Sequence, residues 1–369
     1  MVLSGWTARL AVARTHVLAV EIPGQWSTRV ALQRRVLDRG WRMAVSPADA
    51  DVLAVCGPPG PQMNAVIDLV WDQLPGPRVR IEVPDGGPVD DALDLAAAEL
   101  LDTAAQVGDA HNRRQHPDTG DMDHGDMDHG DMDHGDVDHG DMDHGDMDMA
   151  PSGIPLAEGA QDRDGLEMDV LHLELGPVLA HWPAGVRLRC VLAGDVVTDA
   201  TVALLDAEHR PDAATPVVAR QCDHLVDLLV LAGWPHAAAR ARRCRDLLLD
   251  DPRDERARDE FEHVQRCVRR SRLLRWSLRG LAPLTAERLA ADRLPAMLAG
   301  DTHDRLQTRM KVVGELLSNR LAVDPLHVDP AAIADALPGI VVGLDVAAVR
   351  LVIAGLGLDT VVPAQLGAP

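Results

Sequence analysis

Asp51-Val52-Leu53-Ala54-Val55-Cys56-Gly57 is a short apolar run closed by glycine. A run this short, without polar alternation, reads as a strand buried on both faces. Similar runs flank it: Thr15–Glu21 (THVLAVE) on one side and Arg78–Val83 (RVRIEV) on the other. Between and after them lie stretches of helical spacing: Trp26–Arg39 ended by Gly40, Pro61–Leu74, and Asp90–Gln106 as one long helix. Strands interleaved with helices of this length predict βαβ units, so residues 1–110 form an α/β domain with a small parallel sheet.

Beyond residue 110 that pattern stops. Residues 111–165 read as a linker, and within it Asp121-Met122-Asp123-His124-Gly125 begins a unit repeated five times. Val137 replaces Met in one copy, and the tract closes on Asp146-Met147-Asp148-Met149. Glycine at every fifth position and unbroken negative charge leave no apolar face to bury, so the composition predicts a disordered, acidic His/Met/Asp-rich linker.

The repeat is also a dense set of metal donors. It carries the imidazoles of His124, His129, His134, His139 and His144, and the thioethers of Met122, Met127, Met132, Met142 and Met147, among twelve aspartates. Soft thioether with imidazole suits copper, while imidazole with carboxylate suits nickel, zinc or Cu(II). Five extended residues span roughly 16 Å, so one ion would require neighbouring units to fold back on each other. That favours several labile ions over one tight centre. A solvated spacer expanded by repeat slippage is the alternative.

From Glu167 strands return: Glu167–Leu175, Val186–Ala193 and Val196–Leu205, the last two joined at Gly194-Asp195 by a two-residue hairpin turn. Residues 166–210 therefore read as an antiparallel β region and 211–369 as mainly helical. Breaks fall at Gly233-Trp234-Pro235, Asp251-Pro252, Gly280 and Gly300-Asp301. Arg266–Arg279 reads as an amphipathic helix, and Asp329–Pro369 as a short helix with an apolar αβ-like end. The second half is thus an α+β region, a β-hairpin followed by a helical bundle.

Charge and cysteines bound the setting. A formal charge of -22 argues against a nucleic-acid partner, because phosphate binding needs a cationic face. Twelve of the carboxylates behind it lie in residues 121–148. Five scattered cysteines without CxxC spacing fit a reducing compartment. Residues 1–21 lack a signal-peptide pattern, and Gly339–Leu358, the most apolar stretch, contains Asp345 and Arg350. No transmembrane segment is expected, and the location expected is the cytoplasm.

Ser46-Pro47-Ala48-Asp49-Ala50-Asp51-Val52-Leu53-Ala54-Val55-Cys56-Gly57, then Met63, then Val70-Trp71-Asp72-Gln73-Leu74-Pro75-Gly76-Pro77, form one spaced pattern. It resembles the 20 kDa cluster-carrying subunit of NADH-quinone oxidoreductase (respiratory complex I), a relative of the small subunit of nickel–iron hydrogenases. In that family an SPxxADVxxVxG strand, a loop with Met, a helix and a YDQMPxP-like turn form one α/β unit. The resemblance implies an iron–sulfur cluster on cysteine thiolates. Two adjacent ligands follow the family's first strand, where this chain has Ile22-Pro23-Gly24-Gln25-Trp26, and another follows the third, where it has Pro84-Asp85-Gly86-Gly87. Cys56 matches a non-ligand position, so no cluster is expected.

Residues 175–200, from Leu175-Gly176-Pro177 through His181-Trp182-Pro183 to Asp199-Ala200, are similar to the N-terminal β region of the complex I 49 kDa subunit, itself related to the hydrogenase large subunit. His181 lies near that family's quinone-pocket histidine but is offset in spacing, so the role is not carried over. The paired CxxC motifs of a nickel–iron centre are absent from the sequence. Together the two halves resemble a fusion of degenerate electron-transfer subunits. This implies a cofactor-poor accessory or assembly component, with subunits of a redox complex as partners. The other expectation is nickel or copper storage on the repeat; an active oxidoreductase subunit is the least favoured.

The remaining residues carry bland expectations. Cys222, Cys244 and Cys267 read as free core thiols, His172 as structural, and His236 as a helix-start or solvent-facing residue. The arginines of 240–245 and 266–279 read as solvated faces that could receive an acidic partner or the Asp-rich repeat. Cys56-Gly57-Pro58-Pro59-Gly60 is a strand-to-helix turn of the kind that binds ligands, but its two prolines remove the N–H donors of a phosphate loop.

Overall fold

The computed structural model describes residues 12–115, 159–161, 167–206, 216–318, 320–321 and 325–360. Four parallel strands, β1 (His16–Glu21), β2 (Arg42–Met43), β3 (Val52–Cys56) and β4 (Val79–Val83), lie in the order β2-β1-β3-β4. In register, Val20 pairs with Val55 and Val55 with Glu82. Helices α1 (Trp26–Asp38) and α3 (Val89–Leu101) cover one face and α2 (Pro61–Gln73) the other. Side-chain alternation sorts the core accordingly: Val17 meets Leu32, Val36 and Leu93, while Leu18 and Val20 meet Met63 and Ile67. With both faces covered, every residue of β3 is buried, as its unbroken apolar run requires.

The expected helix Asp90–Gln106 is two helices, α3 and α4 (Thr103–Gln115). Asp102 breaks it: its Oδ1 accepts from the backbone N–H of Ala104 at 3.0 Å and of Ala105 at 3.1 Å, an N-cap set inside a helical pattern. Helix α4 therefore continues past residue 110. At the linker's other end β5 (Gly159–Gln161) pairs antiparallel with the next strand. The repeat and the rest of the linker lie outside the described residues. Strand β2, two residues long, is too short to leave a pattern.

The second sheet is antiparallel, in the order β5-β6-β7-β8, with β6 (Glu167–Leu175), β7 (Val186–Ala193) and β8 (Val196–Leu204). Gly194, at φ +62°, makes the expected hairpin turn. Helices α5 (Val217–Leu231), α6 (Pro235–Asp250), α7 (Glu255–Arg270), α8 (Arg272–Leu278), α9 (Ala286–Ala291) and α10 (Thr302–Leu317) follow, broken where glycine and proline predict. One further break falls inside Arg266–Arg279, where the Ser271 hydroxyl accepts from the N–H of Leu274 at 3.1 Å and caps α8. Residues 329–360, the described part of the stretch expected to end αβ-like, are helical. They form α11 (Pro330–Val341) and α12 (Val346–Leu356), packed on Leu188, Cys190 and Leu192 of β7. Asp345 caps α12 through the N–H of Ala348 at 2.8 Å, and left-handed Gly357 ends it. The apolar run is a buried helix because caps at both ends fix it as one.

Among the described residues no helix is long and apolar enough to cross a membrane. Trp26 and Val30 of α1 share a buried cluster with α5, α6, α7 and α10, and Leu205, just after β8, enters the core beneath α2. The two domains therefore meet along α1 and the carboxyl ends of the parallel strands.

Candidate functional site: the domain junction and its cleft

In an open parallel sheet, ligands bind beyond the carboxyl ends of the strands, where the strand order reverses. Here that point lies between β1 and β3. The chain ties it shut: Ile22 N–H donates to the Cys56 carbonyl at 3.3 Å, and Gly57 N–H to the Val83 carbonyl at 2.9 Å. Gly57 has φ +89°, and a Cβ there would lie 2.3 Å from Gln25 Cγ, so the Gln25 side chain lies directly on the turn. Thr28 Oγ1 donates to Gln25 Oε1 at 3.2 Å and holds it in place. At Gly60 the missing Cβ faces the carboxylate of Asp206, whose Oδ2 accepts from Met63 N–H at 3.0 Å. The positive end of α2 is thus met by an aspartate from the second domain. Burial, with Glu21 adding to it, pushes the Cys56 thiol far up, so it is not a nucleophile.

Next to this plug lies a buried ionic cluster. Asp223 of α5 accepts from Trp26 Nε1 at 2.6 Å, from Arg245 Nη1 at 2.5 Å, and from Arg29 Nη2. Arg29 also donates to Glu21 at 2.8 Å, and Arg245 to Gln33 at 2.8 Å and to Asp246 at 2.7 Å and 2.9 Å. Burial opposes the Asp223 charge, but Arg29 and Arg245 override it and hold the carboxyl well below the usual carboxylate range. Arg245 is fully buried, which corrects the expectation that the arginines of 240–245 form a solvated face. Arg240 and Arg243 do lie toward solvent and bond Glu260.

Beside the cluster opens a cleft of about 490 Å³, walled by β1, α1, residues 177–184, α5, α6 and residues 357–360. His181 enters it from a left-handed backbone at φ +59°, and its Nδ1 lies 2.9 Å from Asp227 Oδ1. A non-glycine residue held at positive φ costs about 1 kcal/mol or more and marks a place where the fold dictates a side chain's direction. Asp359 accepts from Arg220 Nε at 2.6 Å, with His224 Nε2 at 3.4 Å. Burial raises this carboxyl, yet Arg220 and His224 together hold it well below the ordinary range.

The metal donors expected from the repeat, His124 through Met147, lie outside the described residues. Of the helical cysteines, Cys222 and Cys244 come together with sulfurs 3.7 Å apart and fully buried, while Cys267 stands apart and half-buried. The Cys244 contact and burial push the Cys222 thiol up, which leaves an inert core pair. His172 and His236 are exposed. Asp301, His303 and Asp304 bring one ligand atom each within 4.8 Å. Both carboxylates, however, already form the capping box of α10. Asp223, Arg29, Arg245 and Asp206 carry no sequence signal as a site; the only hint for His181 is its place in a Gly-Pro…His-Trp-Pro turn.

No protein-family model matches this chain, and no curated protein is significantly similar to it.

Proposed function

We propose that the chain is a cofactor-poor accessory or assembly component related to subunits of NADH-quinone oxidoreductase and nickel–iron hydrogenase, working with other subunits of a redox complex in the cytoplasm. The loop Ile22–Trp26 carries this reading. At the place where the resembled family has adjacent cluster cysteines, this chain places Gln25 over Gly57 and sends Trp26 to Asp223 of the second domain. A cluster site is thereby replaced by a domain joint. Five free cysteines agree with a reducing compartment. Affinity purification of the full chain from its own cells tests the reading. Redox-complex subunits are expected in constant proportion, and a preparation free of them overturns it. Iron with acid-labile sulfide in the pure protein would overturn the cofactor-poor part.

The second reading is nickel, copper or zinc binding or storage on the repeat, supported by its ten clustered imidazole and thioether donors named above. Elemental analysis of the full chain against a deletion of residues 121–148 decides it. Several metal equivalents lost with the deletion support it, and equal metal content in both proteins overturns it.

A further inference from the structure

The charges lining the cleft are equal in number, four carboxylates and four guanidinium groups, but they are not all paired with one another. Each of its carboxylates already has a partner within the chain: Arg29 for Glu21, Arg29 and Arg245 for Asp223, Arg220 for Asp359, and a hydrogen-bond contact with the His181 imidazole for Asp227. Of the four lining guanidinium groups, Arg29 and Arg220 are used in these pairs. Arg242 and Arg42 have no carboxylate partner among the described residues. For Arg242 the deficit is acute. It lines the cleft from α6, and its Nε is buried with no hydrogen-bond partner. Burial, and the charge of Arg245, work against its protonation. A buried unpaired donor is costly unless something supplies an acceptor. The rest of the lining includes Val178, Leu179, Trp182, Val226 and Val230, an apolar surface suited to a hydrocarbon body. A cleft of this volume, mostly apolar with a few convergent polar groups, is of the size that takes small organic ligands.

We infer that the cleft binds a small amphipathic anion, its carboxylate or phosphate group accepting hydrogen bonds from Arg242 and its apolar body lying against Val178, Leu179 and Trp182. Arg42, exposed at the cleft's sheet side, adds long-range attraction rather than a buried contact. The site needs neither the redox-complex partner nor the repeat, so a failed co-purification leaves it standing.

Calorimetric titration of the purified full chain tests it with four probes: octanoate, octyl phosphate, octanamide and inorganic phosphate. At least one octyl anion is expected to bind tenfold or more tightly than octanamide and than inorganic phosphate, and the better of the two names the head group. Arg242→Gln is expected to abolish the preference of anion over amide, with Arg42→Gln lowering it by less than threefold. Because Arg242 is half-buried with no carboxylate partner and a buried, unpartnered Nε, Arg242→Gln should also raise the melting temperature of the ligand-free chain by roughly 2 °C. That gain separates loss of the site from loss of the fold. Octanamide binding as tightly as the anions, inorganic phosphate matching octyl phosphate, a preference that survives Arg242→Gln, or no binding of any probe at millimolar concentration would each overturn the site.

Discussion

Two crevices lie side by side at the junction of the domains, and the chain treats them in opposite ways. The one at the strand ends, where a doubly wound sheet ordinarily receives a ligand, is filled by the chain's own groups: Gln25 over Gly57, Asp206 at the start of α2, and Trp26 and Arg29 on Asp223. Every polar atom named there has its partner inside the protein. The neighbouring cleft keeps about 490 Å³ of space and leaves Arg242 Nε without one. The difference teaches where binding capacity resides. A position that the fold makes favourable for ligands is spent on joining domains, and an unsatisfied donor lines the neighbouring cleft from α6.

The largest effect is expected from breaking the joint. Asp223→Asn keeps the shape and the Trp26 acceptor but removes the charge facing Arg29 and fully buried Arg245. Removing one partner of a buried pair costs about 3 kcal/mol, less whatever Asp246 and Glu21 retain. Urea denaturation at neutral pH measures it; a loss under about 0.5 kcal/mol, the range of ordinary surface substitutions, would show that the cluster does not hold the domains. The acid side sharpens the same point. Asp223 and Asp359 are both held below the usual carboxylate range in the folded state. Their contribution is complete above the unfolded carboxyl value, about 3.9, and is lost as pH falls through the lower folded values. Stability should therefore drop steeply below about pH 4, and Asp223→Asn should flatten that drop.

A smaller effect tests the plug. Gly57→Ala meets two obstacles, the Gln25 side chain at 2.3 Å from the new Cβ and a backbone at φ +89°. Together they should cost about 2 kcal/mol. Adding Gln25→Ala removes the steric part only, so the double variant should recover some stability and remain below the parent. Full recovery would mean that the turn itself carries no strain, and no recovery would mean that Gln25 moves aside freely.

How much of this was legible follows from distance along the chain. Strand β3 and the helices around it are local patterns, and the sequence predicts them within a residue or two. The Asp102 break and β2 escape because a single capping side chain and a two-residue strand have no period. The junction is a different case. Trp26 and Asp223 are 197 residues apart, and Arg245 and Gln33 are 212 apart. Arg245 stands in Arg240-Ala241-Arg242-Arg243-Cys244-Arg245, which reads as a solvated helix face. Only packing shows that Arg245 is buried and matched, that Arg242 is half-buried with its Nε unpartnered, and that Arg243 is exposed. In a chain with 35 arginines and one lysine, composition cannot single out any of them.

The smallest expected effect concerns Asp206, and it separates a plug from a cap. Its Oδ2 accepts one hydrogen bond from Met63 N–H at the start of α2, and its own N–H donates to Gln62 Oε1 at 3.2 Å. As a helix cap contributed from another domain, Asp206→Ala should cost about 1 kcal/mol. Pro61 leaves one fewer free N–H at that helix end, which keeps the loss near the lower part of the usual range. The substitution also uncovers the positive end of α2 beside Gly60, whose face is then open. If the strand-end crevice is closed only by this carboxylate, Asp206→Ala should gain inorganic phosphate binding that the parent lacks, read by calorimetry. If Gln25 and the two prolines of the turn also close it, stability falls and no phosphate binds. The second outcome is expected, because Pro58 and Pro59 supply no N–H donors and Gln25 stays over Gly57. The contrast with the cleft then rests on backbone chemistry as well as on one side chain.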